Sequence, residues 1–318
     1  MEIRFYVDKN LSKKRIQILS KTNMRLGSFI KMARPANIIT AISDIVAGLA
    51  ISGVLINSFD EELLRNSFLL ILATIGLYGG GIVFNDIFDI EDDKKNRTER
   101  VLPSGKISKQ EAIYFGSLLF LTGISCGFLV SVFSGMLATT TAALAMSYDK
   151  FSKHNTVLGP INMGLCRSAN LLLGMSIVPS VVSSMWFIGF VPLVFVAAIT
   201  LVGQKEAHGH NKNSIFKAIL LDTSVVGFFI VLMLKGYLDI LTSSPFLIFW
   251  YGINLNAKIR AIKNNIPEKI KNAVKTGVLS LIPLNAIYVA GFSNGVYGLL
   301  LLCLLPLSIF VAKRYAVT

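Results

Sequence analysis

Ten apolar runs, most of them close to the length that crosses a bilayer, limit this chain to few architectures. They lie at 36–56, 67–88, 111–130, 133–148, 159–179, 184–203, 216–236, 242–257, 273–290 and 295–312. A hydrocarbon core takes about 20 helical residues to cross. Inside it every backbone polar group must be bonded within its own structure, which selects helices or closed barrels. The expected fold is therefore all-α, a polytopic membrane helical bundle of nine or ten transmembrane helices. Nine follows if the run at 242–257, with Phe246-Leu247-Ile248-Phe249-Trp250, is tilted or broken. The chain is 53% hydrophobic and only 15% charged, against about 25% charged in soluble domains. A single soluble domain is disfavoured on both counts.

The cations agree with that division. Of the 31 Lys and Arg, all but Arg65, Lys235 and Arg167 fall in alternate connecting segments, within three residues of one, or at the two ends. Such asymmetry predicts a cytoplasmic N-terminus and a place in the plasma (inner) membrane. It also accounts for the net charge of +13 through anionic membrane lipid, leaving no reason to expect nucleic acid as a partner. Residues 1–35 read as a basic, amphipathic cytoplasmic segment without a signal-peptide core, and 36–318 as the membrane domain. Cys126, Cys166 and Cys303 sit in different apolar runs without CxxC spacing, so buried free thiols are expected.

One polar island interrupts this pattern. Asn85-Asp86-Ile87-Phe88-Asp89-Ile90-Glu91-Asp92-Asp93 closes the second run, and Lys94, Lys95, Arg97 and Arg100 follow at once. Asn85, Asp89 and Asp93 recur every four residues and share a face if the helix continues. Acids so close together repel unless a cation is present. Two carboxylates and an amide suit Mg²⁺, which also favours phosphate oxygens. Arg97 and Arg100 could hold the remaining oxygens of a diphosphate. Pro103-Ser104-Gly105 predicts a turn before the next run. The plainer alternative is an acidic–basic loop held by surface ion pairs.

The island and its sequel, Arg100-Val101-Leu102-Pro103-Ser104-Gly105, resemble the UbiA superfamily of membrane prenyltransferases, whose motif reads NDxxDxxxD followed by RPLPSG. Only Val101 departs from it. The resemblance implies a UbiA-like helical bundle with a central cavity open sideways to lipid. It also implies Mg²⁺-dependent transfer of a prenyl group from an isoprenoid diphosphate to a lipophilic acceptor. Tyr148 and Lys153 match family positions that help to hold the diphosphate. Arg34 and Asn37, at the entrance of the first run, either line the pocket or anchor the helix. Farther on, Asn162 and Asn170 share a face, and Arg167 lies within a turn of Asn170. An arginine in an apolar run is a site candidate by default, as an anion ligand or the partner of an acid.

Residues 163–174, with the pattern MGxCRxxNxLLG, resemble a branch of UbiA-like proteins called EboC. That likeness implies a link to secondary-metabolite handling or export, with other products of the same gene cluster as partners. The pattern departs from the superfamily at 204–210. A second acidic motif is expected there, but the residues are Gln204-Lys205-Glu206-Ala207-His208-Gly209-His210. Glu206 is the one carboxylate. It or a histidine would orient a second metal or act on the acceptor, and Lys205 would replace metal charge. The leading expectation is thus a transferase in which Asp89, Asp93, Lys153 and Glu206 carry the chemistry. Asn85, Asp89 and Asp93 hold Mg²⁺ in this reading, while Arg34, Asn37, Arg97, Arg100, Tyr148, Asn162, Arg167, Asn170 and Lys205 bind the diphosphate and line its pocket. The alternative is a non-catalytic protein that binds or translocates an isoprenoid phosphate lipid. The acceptor and the oligomeric state are not readable.

Overall fold

The computed structural model describes residues 25–56, 60–204 and 211–315. Most of the basic segment 1–35, together with Lys205, Glu206, His208 and His210, lies outside the described residues. The described chain is helical. A short α1 (Arg25–Met32) meets α2 (Pro35–Ile51) at 49°. Then come α3 (Glu61–Phe88), α4 (Ile90–Asn96), α5 (Lys109–Val130) and α6 (Val132–Ser147). A π-turn at Tyr148–Ser152 leads to α7 (Leu158–Met175), α8 (Pro179–Met185) and α9 (Phe190–Gly203). The chain ends with α10 (Lys212–Leu234), α11 (Ile240–Lys263), α12 (Pro267–Leu279), α13 (Leu281–Phe292), α14 (Gly295–Leu302) and α15 (Leu304–Arg314).

The membrane class is as expected, but the number of spans is not. Among the described residues, six helical segments are long and apolar enough to cross a membrane: Glu61–Phe88, Lys109–Val130, Pro179–Gly203, Lys212–Leu234, Pro267–Phe292 and Gly295–Arg314. Counting the bent pair α1–α2 as one span gives seven, not nine or ten. The reasons are local. Helix α6 has 16 residues, about 24 Å at 1.5 Å per residue, which is short of a hydrocarbon core. Helix α7 spends its length on buried Asn162, Arg167 and Asn170. The second half of α11 carries Asn254, Lys258, Arg260 and Lys263. The protein remains a polytopic integral membrane protein, and its outer faces show it. Leu118, Leu121, Phe128 and Leu129 of α5 all point outward, exposed, where lipid tails cost them nothing.

Helix α13 is the axis of the bundle, with every residue from Leu281 to Ala290 buried. It packs against α2 and α11, and a large apolar cluster around Phe195, Phe229, Trp250 and Tyr288 fills that half. Helix α15 returns to α2, where Ser308 Oγ donates to the Ala36 carbonyl at 3.0 Å. The other half is built on α2, α3, α5, α6 and α7. Its helices meet through glycine. A Cβ placed on Gly48 of α2 would lie 2.5 Å from the backbone of Gly174 in α7, and one on Gly76 would lie 2.5 Å from the Leu119 carbonyl of α5. Close backbone approach of this kind supports packing in lipid, where the hydrophobic drive between helices is absent.

Two buried polar systems hold the helices in register. In the first, Arg167 lies against Asp44 at 3.3 Å and donates to Thr40 Oγ1 at 2.7 Å. Asn170 and Asn285 donate to the two Asp44 oxygens at 2.8 and 2.7 Å. This network ties α2, α7 and α13 together. In the second, Lys258 of α11 pairs with Asp222 of α10, each about 1% exposed. Lys258 lies just past the apolar run at 242–257, yet it belongs to the interior, because α11 continues to Lys263 and turns that side chain toward α10.

Of the cysteines, all free, only Cys126 is buried; Cys166 is intermediate and Cys303 exposed.

Candidate functional site

The acidic island sits where α3 gives way to α4. The helix breaks at Asp89, so the condition of a continuing helix is not met there. The four-residue ladder survives the break. The Asp89 amide donates to the Asn85 carbonyl at 3.0 Å, Asp93 to Asp89 at 2.9 Å and Arg97 to Asp93 at 2.8 Å. Asn85, Asp89, Asp93 and Arg97 therefore all face one cavity. The loop after α4 folds back over the site. Val101, Leu102 and Ile107 bury against Met32, Val83 and Ile87, and Gly105 turns the chain with φ 70°, a value suited to glycine. That burial draws Arg100 inward until it is 7% exposed.

The cavity measures about 890 Å³ and is lined by both charged and apolar side chains. Its charged wall comprises Arg34, Asp89, Asp92, Asp93, Arg97, Arg100, Asp149, Lys153 and His154. Its milder wall comprises Leu77, Tyr78, Gly81, Ile82, Thr141, Ala145, Met163 and Cys166, with Asn37, Asn85, Tyr148 and Asn170 between. Asp86, Asp89 and Asp93 are paired with cations. Lys153 pairs with Asp89, and Arg100 Nη1 meets Asp93 at 2.6 Å. Arg34 pairs with Asp86, to which Arg100 also reaches at 3.4 Å. Asn85 donates to Asp149 Oδ1 at 2.6 Å. Burial pushes the Asp149 carboxyl up to about 6, while the Asn85 bond and the Lys153 charge pull the other way.

Most of the residues singled out in the sequence meet at this cavity: Arg34, Asn37, Asn85, Asp89, Asp93, Arg97, Arg100, Tyr148, Lys153 and Asn170. Two do not line it. Asn162 is buried in the α6–α7 corner, its amide set among Leu144 O, Ser152 Oγ and Tyr148 N at 3.1, 2.8 and 3.2 Å. It shapes the π-turn that carries Tyr148 and Lys153. Arg167 is the partner of an acid, Asp44, and stacks under the cavity-lining ring of Tyr78 at 4.9 Å. The sequence reading missed Asp44, although a carboxylate inside an apolar run was signal enough. It also passed over Asp86, Asp92 and His154 as site members.

The oxygens at the mouth fit a magnesium ion by their chemistry. No group of three or more His, Cys, Asp or Glu side chains is gathered for a metal among the described residues. Mg²⁺ does not need one, since it is commonly held by one or two carboxylates with phosphate and water completing its shell. Asp89 and Asp93, with the Asn85 amide, supply that partial set.

A match to the UbiA prenyltransferase family spans residues 45–255, which include the whole of the acidic island and α3 to α10. The chain belongs to the UbiA prenyltransferase family. Among named relatives, digeranylgeranylglyceryl phosphate synthase of Methanococcoides burtonii is 39% identical over 106 residues, 33% of this chain and 38% of that protein. The alignment thus spans well under half of the relative. A solved structure concerned with digeranylgeranylglyceryl phosphate synthase in membranes superposes with TM-score 0.65 at 21% identity, covering 84% of this chain and 98% of the other. A UbiA homolog from Archaeoglobus fulgidus, solved with GPP and Mg²⁺, gives 0.62 at 13% identity, covering 87% and 99%. At such identities the superpositions establish the UbiA fold. The similar relatives correct the branch: they carry the name digeranylgeranylglyceryl phosphate synthase, so the expected EboC-like placement is not upheld. The MGxCRxxNxLLG pattern that suggested it is largely accounted for by packing, with Gly164, Arg167, Asn170 and Gly174 all buried between α7 and its neighbours.

Proposed function

We propose that this UbiA-family protein transfers a prenyl group from an isoprenoid diphosphate to a lipid acceptor within the membrane, with Mg²⁺ as cofactor. The observation that carries the reading is the cavity wall on which Asn85, Asp89 and Asp93 face Arg34, Arg100 and Lys153. Mg²⁺, when bound, would be held by Asp89, Asp93 and Asn85, and it neutralises charge on a departing diphosphate. The chain's own residues do the rest. Arg34, Arg97, Arg100 and Lys153 offer donors to the phosphate oxygens, and fixed donors stabilise charge that builds as the allylic carbon–oxygen bond breaks. Tyr78, Ile82 and Met163 provide apolar surface for the start of the prenyl chain, away from the charged mouth.

A lipid acceptor is favoured by the membrane setting and by the names of the relatives, whose products are glyceryl phosphates carrying prenyl groups. The orientation follows from the cations: the mouth with Arg34, Arg97, Arg100 and Lys153 faces the cytoplasm of a plasma membrane. Incubation of purified protein with labelled C10–C20 prenyl diphosphates and native lipid extract tests the reading. New prenylated lipid with equimolar pyrophosphate, formed only with Mg²⁺, is the expected outcome. Binding of the diphosphate without any product would sink it.

A further inference from the structure

Asp86 stands apart from the rest of the acidic island. Asp89, Asp92 and Asp93 line the cavity, whereas Asp86 does not, and it is 7% exposed. Its Oδ1 accepts from two arginines on separate segments, Arg34 Nη2 before α2 and Arg100 Nη1 after α4. Both arginines do line the cavity, and each keeps a buried Nε with no hydrogen-bond partner. Arg34 also holds φ 47° and ψ 67°, the one positive φ among described residues other than glycine. A side chain persists in that left-handed region only where its surroundings over-determine it, and such residues cluster at ligand clamps. Here Pro35 fixes one side as the start of α2, and Asp86 captures the guanidinium on the other.

We propose that Asp86 is a positioning residue rather than a metal ligand: it aims Arg34 and Arg100 at the phosphate oxygens of the diphosphate. The proposal rests on the prenyltransferase reading above. Asp86 holds the two like charges close, and the clamp turns net positive, and so attractive to an anion, once Asp93 is taken up by Mg²⁺ in the reading above. Arg100 has a second anchor in Asp93. Arg34 has no other ion pair among the described residues, so loss of Asp86 disorders Arg34 first.

The test uses full-length protein in nanodiscs, with geranyl diphosphate as the probe in calorimetry and as substrate in pyrophosphate release. Asp86→Asn should weaken geranyl diphosphate binding and raise KM about tenfold or more, the scale of a lost charge-assisted hydrogen bond. The Mg²⁺ concentration giving half-maximal activity should stay within twofold of wild type. Arg34→Gln should cost about as much alone, and little more when added to Asp86→Asn. Asp86→Glu should restore part of the affinity, which also guards against a variant that merely fails to fold. Unchanged binding in Asp86→Asn overturns the proposal. So does a shift in Mg²⁺ requirement as large as that of Asp89→Asn, which would make Asp86 a metal ligand. If wild-type protein binds no geranyl diphosphate at all, the prenyltransferase reading falls, and this proposal with it.

Discussion

Asp89 and Asp93 each hold a cation in this structure, Lys153 and Arg100 respectively. Replacing either acid by its amide keeps the shape and removes the charge. Asp89→Asn and Asp93→Asn should each lower kcat by about 10²–10³-fold, the cost of losing one group that stabilises transition-state charge. Pyrophosphate release at saturating substrate measures this, and a loss under threefold would remove both residues from the chemistry. Chelation of Mg²⁺ with EDTA should abolish release in wild type and be reversed by added Mg²⁺, not by Ca²⁺, whose longer bonds and looser shell fit the set poorly. Much of this was legible in the sequence because Asn85, Asp89, Asp93 and Arg97 are four apart, and helical spacing survives the small break at Asp89. The partners of Asp86 and Asp44 were not, because they lie far along the chain: Arg34 is 52 residues from Asp86, and Asn285 is 241 from Asp44. No local period reveals such pairs.

Between helices, the ion pair of α10 and α11 is the most exposed to test. Lys258 and Asp222 are buried together, and the Asp222 Oδ1 has no hydrogen-bond partner. Removing one member strands a charge among apolar side chains, at a cost of about 3–5 kcal/mol, whereas removing both together is close to neutral. Lys258→Met should therefore depress the thermal midpoint of the detergent-solubilised protein sharply, and Lys258→Met with Asp222→Leu should recover most of it. Equal losses in single and double variants would show that the pair is not a coupled unit. The same scale explains why the apolar run at 242–257 stops short of the end of α11: its last turns are rich in Lys and Arg, and composition alone does not reveal that one of them turns inward. Helix α6 was harder still, because its apolar run is genuine and only its 16-residue length separates it from a full span.

At the level of the whole molecule, the all-α membrane bundle was legible from the apolar runs, and the number of membrane-length helices was not. Breaks such as the one between α1 and α2 depend on tertiary contacts that hydropathy does not register, and the polar residues of α7 were visible without their effect on its membrane length being drawn. The division of charge predicts a sided protein. Single-cysteine variants at Arg65 and Lys235 should label with a membrane-impermeant thiol reagent from outside intact cells, and one at Lys106 only after lysis. Labelling at Lys106 alone from outside would reverse the assigned orientation, and labelling of all three from one side would deny it. The seam between α2 and α7 bears on how the sequence can vary through time. With Gly48 and Gly174 backbone to backbone, one added methyl group on either helix has nowhere to go. Neutral drift at these two positions is closed to single steps, and a lineage could leave glycine there only by moving both helices apart at once.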